Sequence, residues 1–290
     1  MRCGIFTCLA LVSWSVVWSS SSHASVLLYD ASLVNRPGDQ SWLVYADNAV
    51  LPGTSINQTV VPGVGTRLTS NHDGSGGYSN IDPFSGSFKN TSFPILDRRR
   101  GFAIEFALLV HSESHENSNR AGFSVTVITE DLLGIELAFW DDLIWAQSDS
   151  PLFTQAEGVA FDTTANLTNY SLLLEGDGYH LSAEGNLLLE GTLRDYSGFN
   201  APPYTLRNFL FLGDNTTSAG ADVTLGTIRL TVIPEPASLF LRSFAIVIGS
   251  VTCLARRRLG TGRRSRGLRK TGRLNQSHID GRPHLQGRGR

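Results

Sequence analysis

Apolar and polar residues alternate with a period of two along much of the middle of the chain. The alternating runs lie at residues 102–110, 123–127, 135–139, 170–174, 179–181, 187–189, 209–211 and 223–232. Successive side chains of a strand point to opposite faces of a sheet, so this pattern predicts strands with one face in a core. Segments rich in Gly, Asp and Asn separate the runs, as turns would. The pattern predicts an all-β sandwich or barrel.

Two stretches add detail to this prediction. Residues 170–175, 179–183 and 186–193 are separated by short Gly-containing turns, which predicts two successive hairpins of a meander. Residues 47–98 alternate less and are rich in Gly, Ser, Asn and Pro, which predicts short strands joined by long loops. No break in composition indicates a second domain within the body.

The N-terminus has the three parts of a secretory signal peptide. Arg2 supplies the positive start, residues 5–18 are mostly apolar, and Ser22-His23-Ala24 offers small residues where a signal peptidase cuts. The apolar run is too short for a membrane helix and no charged stop follows it. We therefore expect residues 1–24 to be removed and the mature chain to begin at Ser25.

A second apolar stretch, residues 237–255, lies near the other end. Its length is close to the roughly 20 residues that span a bilayer, although Arg242 interrupts it. Pro234 and Pro236 precede it and keep that segment extended. A basic cluster follows at once and would stop translocation on the cytoplasmic side. The cluster is Arg256, Arg257 and Arg258. The sequence thus predicts a single transmembrane helix.

The motif Pro234, Glu235, Pro236, followed by an apolar helix and an arginine cluster, resembles the PEP-CTERM protein-sorting signal over residues 233–258. The resemblance implies that an exosortase, a transpeptidase-like membrane enzyme, processes the chain near the motif. Members of that family end soon after the arginines, whereas this chain continues through residues 259–290. This Gly- and Arg-rich tail is predicted to be disordered.

Charge and cysteine content exclude several functions. Residues 25–232 hold ten Lys and Arg against twenty-four Asp and Glu, while residues 256–290 hold twelve Lys and Arg against one Asp. A nucleic-acid partner is not expected, because phosphate binding needs a basic surface and the body is acidic. Cysteine is absent from residues 25–232, which excludes disulfides and thiolate metal sites there. We expect no cofactor.

The order of strands resembles that of the concanavalin A-like lectin and glucanase jelly rolls. The segments that carry the resemblance are residues 101–106, 121–125, 134–140 and 169–179. The opening residues 27–46 are similar to the choice-of-anchor exported domains, in which one body is joined to varying C-terminal anchors. The resemblance implies a jelly-roll β-sandwich, and a fold does not determine a function.

Glycosidases of this fold carry paired carboxylates on one strand, one as nucleophile and one as general acid. The jelly-roll glucanases arrange them as Glu-x-Asp-x-x-Glu. The nearest segment here runs from Glu130-Asp131 to Glu136 and has a different spacing. A Ser-His-Asp site has no nucleophile elbow to support it. The sequence therefore predicts no catalytic residues and no enzymatic activity.

Trp140, Asp141, Asp142 and Trp145 form a candidate glycan-binding group. An aromatic face can stack on a sugar ring and carboxylates can accept from its hydroxyls. The alternative interpretation is a hairpin turn at the two aspartates, flanked by packed aromatics. The run of His and Glu within residues 111–119 follows a predicted strand, and we expect a solvated polar loop there rather than a metal site.

These observations predict a signal peptide (1–24), a β-sandwich (25–232), a sorting signal with a membrane helix (233–258) and a basic tail (259–290). We expect an exported protein that is anchored to the membrane or released at the cell surface. The expected function is that of a non-catalytic surface or matrix protein that contacts exopolysaccharide. The alternatives are a lectin-like carbohydrate-binding module and a glycan hydrolase.

Overall fold

A computed structural model describes residues 24–46, 56–72 and 74–233. Within these ranges the chain forms short 3₁₀ helices at Ala31–Leu33, Pro37–Gln40 and Tyr196–Phe199. Its strands are β1 Ala24–Tyr29, β2 Leu43–Ala46, β3 Asn57–Val61, β4 Gly65–Thr69, β5 Gly76–Ser79, β6 Phe102–His115, β7 Ser124–Ile128, β8 Leu133–Phe139, β9 Leu143–Asp149, β10 Leu152–Ala160, β11 Thr168–Glu175, β12 Gly178–Ala183, β13 Asn186–Thr192, β14 Arg194–Asp195, β15 Phe209–Asp214 and β16 Ala219–Val232.

The strands form two antiparallel sheets. The first sheet has the order β13-β12-β11-β6-β16-β4-β3, and β1 pairs with the C-terminal half of β16. The second sheet has the order β10-β9-β8-β7-β15-β5-β2, and β14 pairs with the start of β8. The hairpins predicted over residues 170–193 are β11, β12 and β13.

The two sheets pack face to face around one apolar core. Phe106 of the first sheet meets Phe139 of the second edge to face, with ring centroids 6.0 Å apart, and stacks on its neighbour Tyr170 at 5.3 Å. Alternate residues of the central strands enter this core, as the period of two predicted. The all-β prediction and the sandwich of two sheets are confirmed.

The second sheet is buried on both of its faces along its central strands. All residues of β7 are buried, and so are all residues of β8 after Leu133. One face of each strand contributes Val125, Leu137 and Phe139 to the core between the sheets. The other face is covered by loops instead of solvent. This covered outer face is where the candidate site lies.

The prediction of a polar loop over residues 111–119 is wrong for residues 111–115. Strand β6 continues through His115, because β16 begins at Ala219 and pairs with it there. His111 donates to or accepts from the Thr224 hydroxyl of β16 at 2.8 Å, so its ring is held on the sheet. Strand pairing with β16 overrides the polar composition of this segment.

The described part of the chain contains no helix that is long and apolar enough to span a membrane. The predicted signal peptide, the membrane helix and the basic tail lie outside the described residues. The sorting motif and the arginine cluster lie outside them as well. These residues are Pro234, Glu235, Pro236, Arg256, Arg257 and Arg258.

Candidate functional site

A cavity of about 480 Å³ opens on the outer face of the second sheet. Its floor is formed by side chains of β5, β8, β9 and β15. Loops on either side, residues 83–84 and 199–204, form the walls. Cavities of this size are typical of small-molecule sites.

A row of directly opposed residues crosses the sheet at the floor. Glu136 on β8 lies opposite Thr126 on β7, which lies opposite Phe211 on β15, which in turn lies opposite Ser79 on β5. Gln147 on β9 extends the row beyond Glu136 and donates to it. The core-facing residues of these strands are one position away, so this row belongs to the outer face.

Glu136 is buried at the floor and surrounded by hydrogen-bond donors. The Tyr204 hydroxyl lies 2.5 Å from its Oε2, and Asn215 Nδ2 donates to its Oε1 at 2.9 Å. Gln147 Nε2 donates more weakly to the same oxygen at 3.4 Å. Burial raises the pKa of Glu136, and the donated hydrogen bonds oppose this shift only in part. A carboxyl group whose pKa is raised in this way holds its proton more readily than an exposed glutamate does.

Tyr204 is held over Glu136 by the segment that follows β14. The Tyr196 hydroxyl donates to the backbone oxygen of Gln147 at 2.7 Å and accepts from the backbone amide of Glu136 at 3.3 Å. This anchors the start of the segment to β8 and β9. The Tyr204 ring packs 5.5 Å from Tyr196 and 4.8 Å from Phe153. Burial raises the pKa of Tyr204 well above its usual value, so its phenol stays protonated.

Aromatic rings stand on opposite sides of the mouth. Phe84 is 82% exposed and lies 6.4 Å from the Tyr45 ring on one side. Phe199 is 48% exposed and meets the Tyr204 ring edge to face at 5.6 Å on the other. Such large exposed rings at the rim of a cavity can contact the apolar faces of a bound ligand.

Arg120 is the cationic residue among those that line the cavity. Its Nη1 donates to the backbone oxygens of Asn119 at 2.7 Å and Phe153 at 2.8 Å. Its guanidinium carbon also lies 5.4 Å from the centre of the Phe153 ring. Its charge lowers the pKa of Glu136 and so opposes part of the burial effect.

The predicted glycan-binding group lies on the same sheet but outside the cavity lining. Asp141 and Asp142 form the exposed turn between β8 and β9. Trp140 stacks on His115 with ring centroids 4.0 Å apart and donates to the Arg120 backbone oxygen at 2.8 Å. Trp145 is 1% exposed, so it presents no face to a ligand. The four residues lie close together, with packed aromatic side chains on either side of an exposed turn.

The residues that the cavity brings together were not predicted from the sequence. Glu136 entered the sequence prediction only through its spacing from Glu130 and Asp131, which does not match the glucanase pattern. One signal was available: residues 133–139 are apolar in both phases except for Glu136. A lone carboxylate in a strand that is buried on both faces needs a specific environment. Among the described residues, no group of three or more His, Cys, Asp or Glu side chains is arranged to hold a metal ion.

No known protein family and no curated protein matches this chain. Several solved structures are similar to it at low sequence identity. A carbohydrate esterase, vb_24B_21 from Shiga toxin-encoding bacteriophage phi24B, is 13% identical, with a TM-score of 0.49 over 72% of this chain and 99% of the other. An endo-1,3-beta-glucanase from Streptomyces sioyaensis is 12% identical, with a TM-score of 0.40 over 76% of this chain and all of the other. The Crh5 transglycosylase is 11% identical, with a TM-score of 0.42 over 74% and 88%.

The prediction that the chain is not an enzyme is corrected by these comparisons. The solved structures found are mostly glycoside hydrolases, transglycosylases and lyases. At 11–13% identity the likeness is one of fold alone. The assignment of an activity to this chain therefore rests on the chemistry of its own cavity.

Proposed function

We propose that this protein is a carbohydrate-active β-sandwich of the concanavalin A-like jelly-roll type, and that the cavity over Glu136 is its saccharide site. The observation that supports this proposal is a buried carboxyl group at the floor of a cavity with aromatic rings at its rim. Rings such as Phe84 and Phe199 suit the apolar faces of sugar rings, while Asn215 and Arg120 suit their polar groups. The order of the two sheets supports the jelly-roll assignment.

Cleavage of a glycosidic bond with Glu136 as the proton source is the reaction that this chemistry supports. In the structure the Tyr204 hydroxyl donates to Glu136 Oε2. Once Glu136 carries a proton, the direction can reverse: Glu136 donates to the Tyr204 oxygen, and the Tyr204 hydrogen is free to point at a ligand. The Tyr204 proton passes to the leaving glycosidic oxygen as the bond to the sugar carbon breaks, and the Glu136 proton replaces it. Water supplies hydroxide to the sugar carbon, and its remaining proton restores Glu136.

Only one carboxyl group lines the cavity among the described residues. Retaining and inverting glycosidases of the usual type use two carboxylates. We therefore propose that proton donation makes the main catalytic contribution. A positioned acid raises the reaction rate by about 10²- to 10⁴-fold. Attack by water on the sugar carbon then proceeds without a carboxylate nucleophile.

The test is a panel of oligo- and polysaccharides incubated with the full-length chain, with release of reducing ends as the readout. Glu136→Gln keeps the shape of the side chain and removes the acid, so turnover should fall by about 10²-fold or more while binding persists. Glu175→Gln, an exposed position of β11 on the other sheet, is the matched control. Turnover that survives Glu136→Gln would reject the acid role, and a protein that binds no glycan would reject the site.

Export and C-terminal sorting form a separate part of the proposal. The motif Pro234, Glu235, Pro236 with its apolar segment and arginines supports a PEP-CTERM signal, with an exosortase-type enzyme and the membrane as partners. The strand pairing is compatible with this, because Ala24 lies directly opposite Val232, so the two ends of the body lie side by side. Mass spectrometry of the mature chain is the test: a C-terminus near Pro234 supports sorting, and an intact Arg290 rejects it.

A further inference from the structure

The cavity is a positively charged place on an acidic domain. Among the described residues that line it, the acidic and basic side chains are Glu136 and Arg120, and the others are apolar or neutral. Burial raises the pKa of Glu136 and so favours its uncharged form, which leaves the charge of Arg120. Residues 25–232 as a whole hold ten Lys and Arg against twenty-four Asp and Glu. An anionic ligand would therefore be attracted to this cavity rather than to the body in general.

Arg120 lacks the acidic partner that comparable arginines have. Arg98 and Arg194 are half-buried, as Arg120 is. Arg98 pairs with the carboxylate of Asp131, and Arg194 pairs with that of Glu157. Within the described ranges no carboxylate lies at ion-pair distance from Arg120. A half-buried cation without a counterion is costly, so an anion bound beside it would be stabilised.

Neutral contacts hold the Arg120 guanidinium in place beside the cavity floor. Its Nη1 donates to the backbone oxygens of Asn119 and Phe153, and its carbon lies 5.4 Å from the centre of the Phe153 ring. The Asn119 oxygen also lies 3.4 Å from Gln147 Nε2, which donates to Glu136. These contacts orient the guanidinium next to Glu136 without neutralising its charge.

One edge of the Arg120 guanidinium is left for a ligand. Its Nε and Nη2 have no hydrogen-bond partner among the described residues, and neither is one of the buried polar atoms there. Both atoms are therefore accessible. Arg67 shows what this pair of atoms can do, because its Nε donates to Asp222 Oδ1 at 2.7 Å while its Nη2 contacts Oδ2. Arg120 can hold a ligand carboxylate in the same two-point manner.

An anionic ligand also suits the chemistry of Glu136. The charge of Arg120 lowers the pKa of Glu136 and so opposes its protonation. A carboxylate bound at Arg120 would offset that charge, which favours the protonated form of Glu136. Protonated Glu136 does not repel the anion in turn. The two residues thus favour an acidic sugar together.

We propose that the saccharide bound in this cavity is a uronate, and that Arg120 determines this specificity by holding the sugar carboxylate through Nε and Nη2. This inference rests on the proposed saccharide site. It adds the substrate class and a specificity residue that does not take part in proton transfer.

The first experiment measures binding of short oligosaccharides to the full-length chain in three sets. These are neutral glucans and mannans, uronates from pectate and alginate, and sulfated galactans. A uronate that binds more tightly than both other sets supports the inference. Equal or tighter binding of the neutral or the sulfated set overturns it and leaves the saccharide site standing, whereas a lack of all binding overturns the saccharide site itself.

The second experiment locates the carboxylate, because the twelve Lys and Arg of residues 256–290 can also attract anions. For the uronate found above, the neutral methyl ester should bind wild-type protein about ten- to hundredfold more weakly, as expected for a lost charge-assisted pair. Arg120→Met should weaken the acid by a similar factor and should bind acid and ester about equally. A preference for the acid that persists in Arg120→Met would overturn the role of Arg120.

Two further variants separate this role from a general effect of charge. Arg99→Met removes the same charge at an exposed position before β6, outside the cavity lining, and should leave both affinities unchanged. Arg120→Lys keeps the charge without the planar fork, so its affinity for the uronate should lie between those of wild type and Arg120→Met. Where Arg120→Met is unstable, the wild type decides alone: equal binding of acid and ester overturns the inference.

Discussion

A buried aspartate at the end of β15 should make the stability of the protein depend steeply on pH. Asp214 is fully buried and its Oδ1 accepts from the Thr216 amide at 3.0 Å. Its Oδ2 is buried without a hydrogen-bond partner among the described residues. Burial, with a smaller contribution from the negative charge of Glu113, raises the pKa of Asp214 to about 8. The change that we consider is Asp214→Asn, which keeps the shape and removes the titration.

The sign and size follow from the two pKa values. An aspartate in an unfolded chain titrates near 3.9, so the folded state binds this proton more tightly by about four pKa units. The stabilisation is fully present below about pH 4 and is lost as the pH rises through 8. At about 1.36 kcal/mol per unit, ionisation of Asp214 removes about 5 kcal/mol by pH 8. This is a large share of the 5–15 kcal/mol that is typical of a domain.

The assay is urea unfolding of the full-length chain at pH values between 4 and 9. The unfolding free energy of Asp214→Asn minus that of the wild type should rise by about 1.4 kcal/mol per pH unit between about pH 4 and 8 and then level off. Asp142→Asn, in the exposed turn between β8 and β9, is the matched control and should give no such trend. A difference between Asp214→Asn and wild type that stays constant over this range would refute the reasoning.

Two further predictions concern the outer face of the second sheet and the close approach of Gly122 to Gly220. Thr126→Val replaces a buried hydroxyl without a partner by a methyl group of the same shape, so thermal unfolding should show a gain of about 1 kcal/mol; a loss of that size would mean that the hydroxyl is hydrogen-bonded. Gly122→Ala places a Cβ 2.1 Å from the Gly220 backbone carbon and should cost about 3 kcal/mol or more, while Gly198→Ala meets no atom within 4 Å and should change the unfolding free energy little. Equal effects of the two alanines would contradict this packing.

The strands that could be predicted from the sequence are those whose two faces differ in polarity or that are joined by short turns. Strands β11, β12 and β13 alternate cleanly and are joined by two-residue turns, so pattern and turn residues indicate the same hairpins. Strands β9 and β10 were not predicted. Their pairing shifts register twice, between Leu152 and Gln155 and between Gln155 and Gly158. Each shift moves side chains to the other face, which removes the period of two from the sequence.

The site could not be predicted in the same way because its residues come from separate segments. Arg120, Glu136, Gln147, Tyr204 and Asn215 meet only after β8 and β9 pair and the loop that follows β14 folds over them. Each residue is ordinary for a strand or a turn when taken alone. The aromatic and acidic residues at positions 140–145 gave a stronger sequence signal, yet packing buries Trp145. Adjacency in sequence therefore favoured a group that offers less accessible surface than the cavity does.

The two faces of β7, β8 and β9 differ in polarity, and the outer face carries the row of opposed residues at the cavity floor. Toward the core these strands present Val125, Leu137 and Ala146, which is what stability alone favours. One position away they present Thr126, Glu136 and Gln147, with two polar atoms that have no partner within the described residues and a carboxyl group in an environment that disfavours its charge. Each such atom lowers stability by about 1–3 kcal/mol. Apolar residues would fill the same row at no such cost, so stability alone does not explain the row, and two of its members, Glu136 and Gln147, line the cavity.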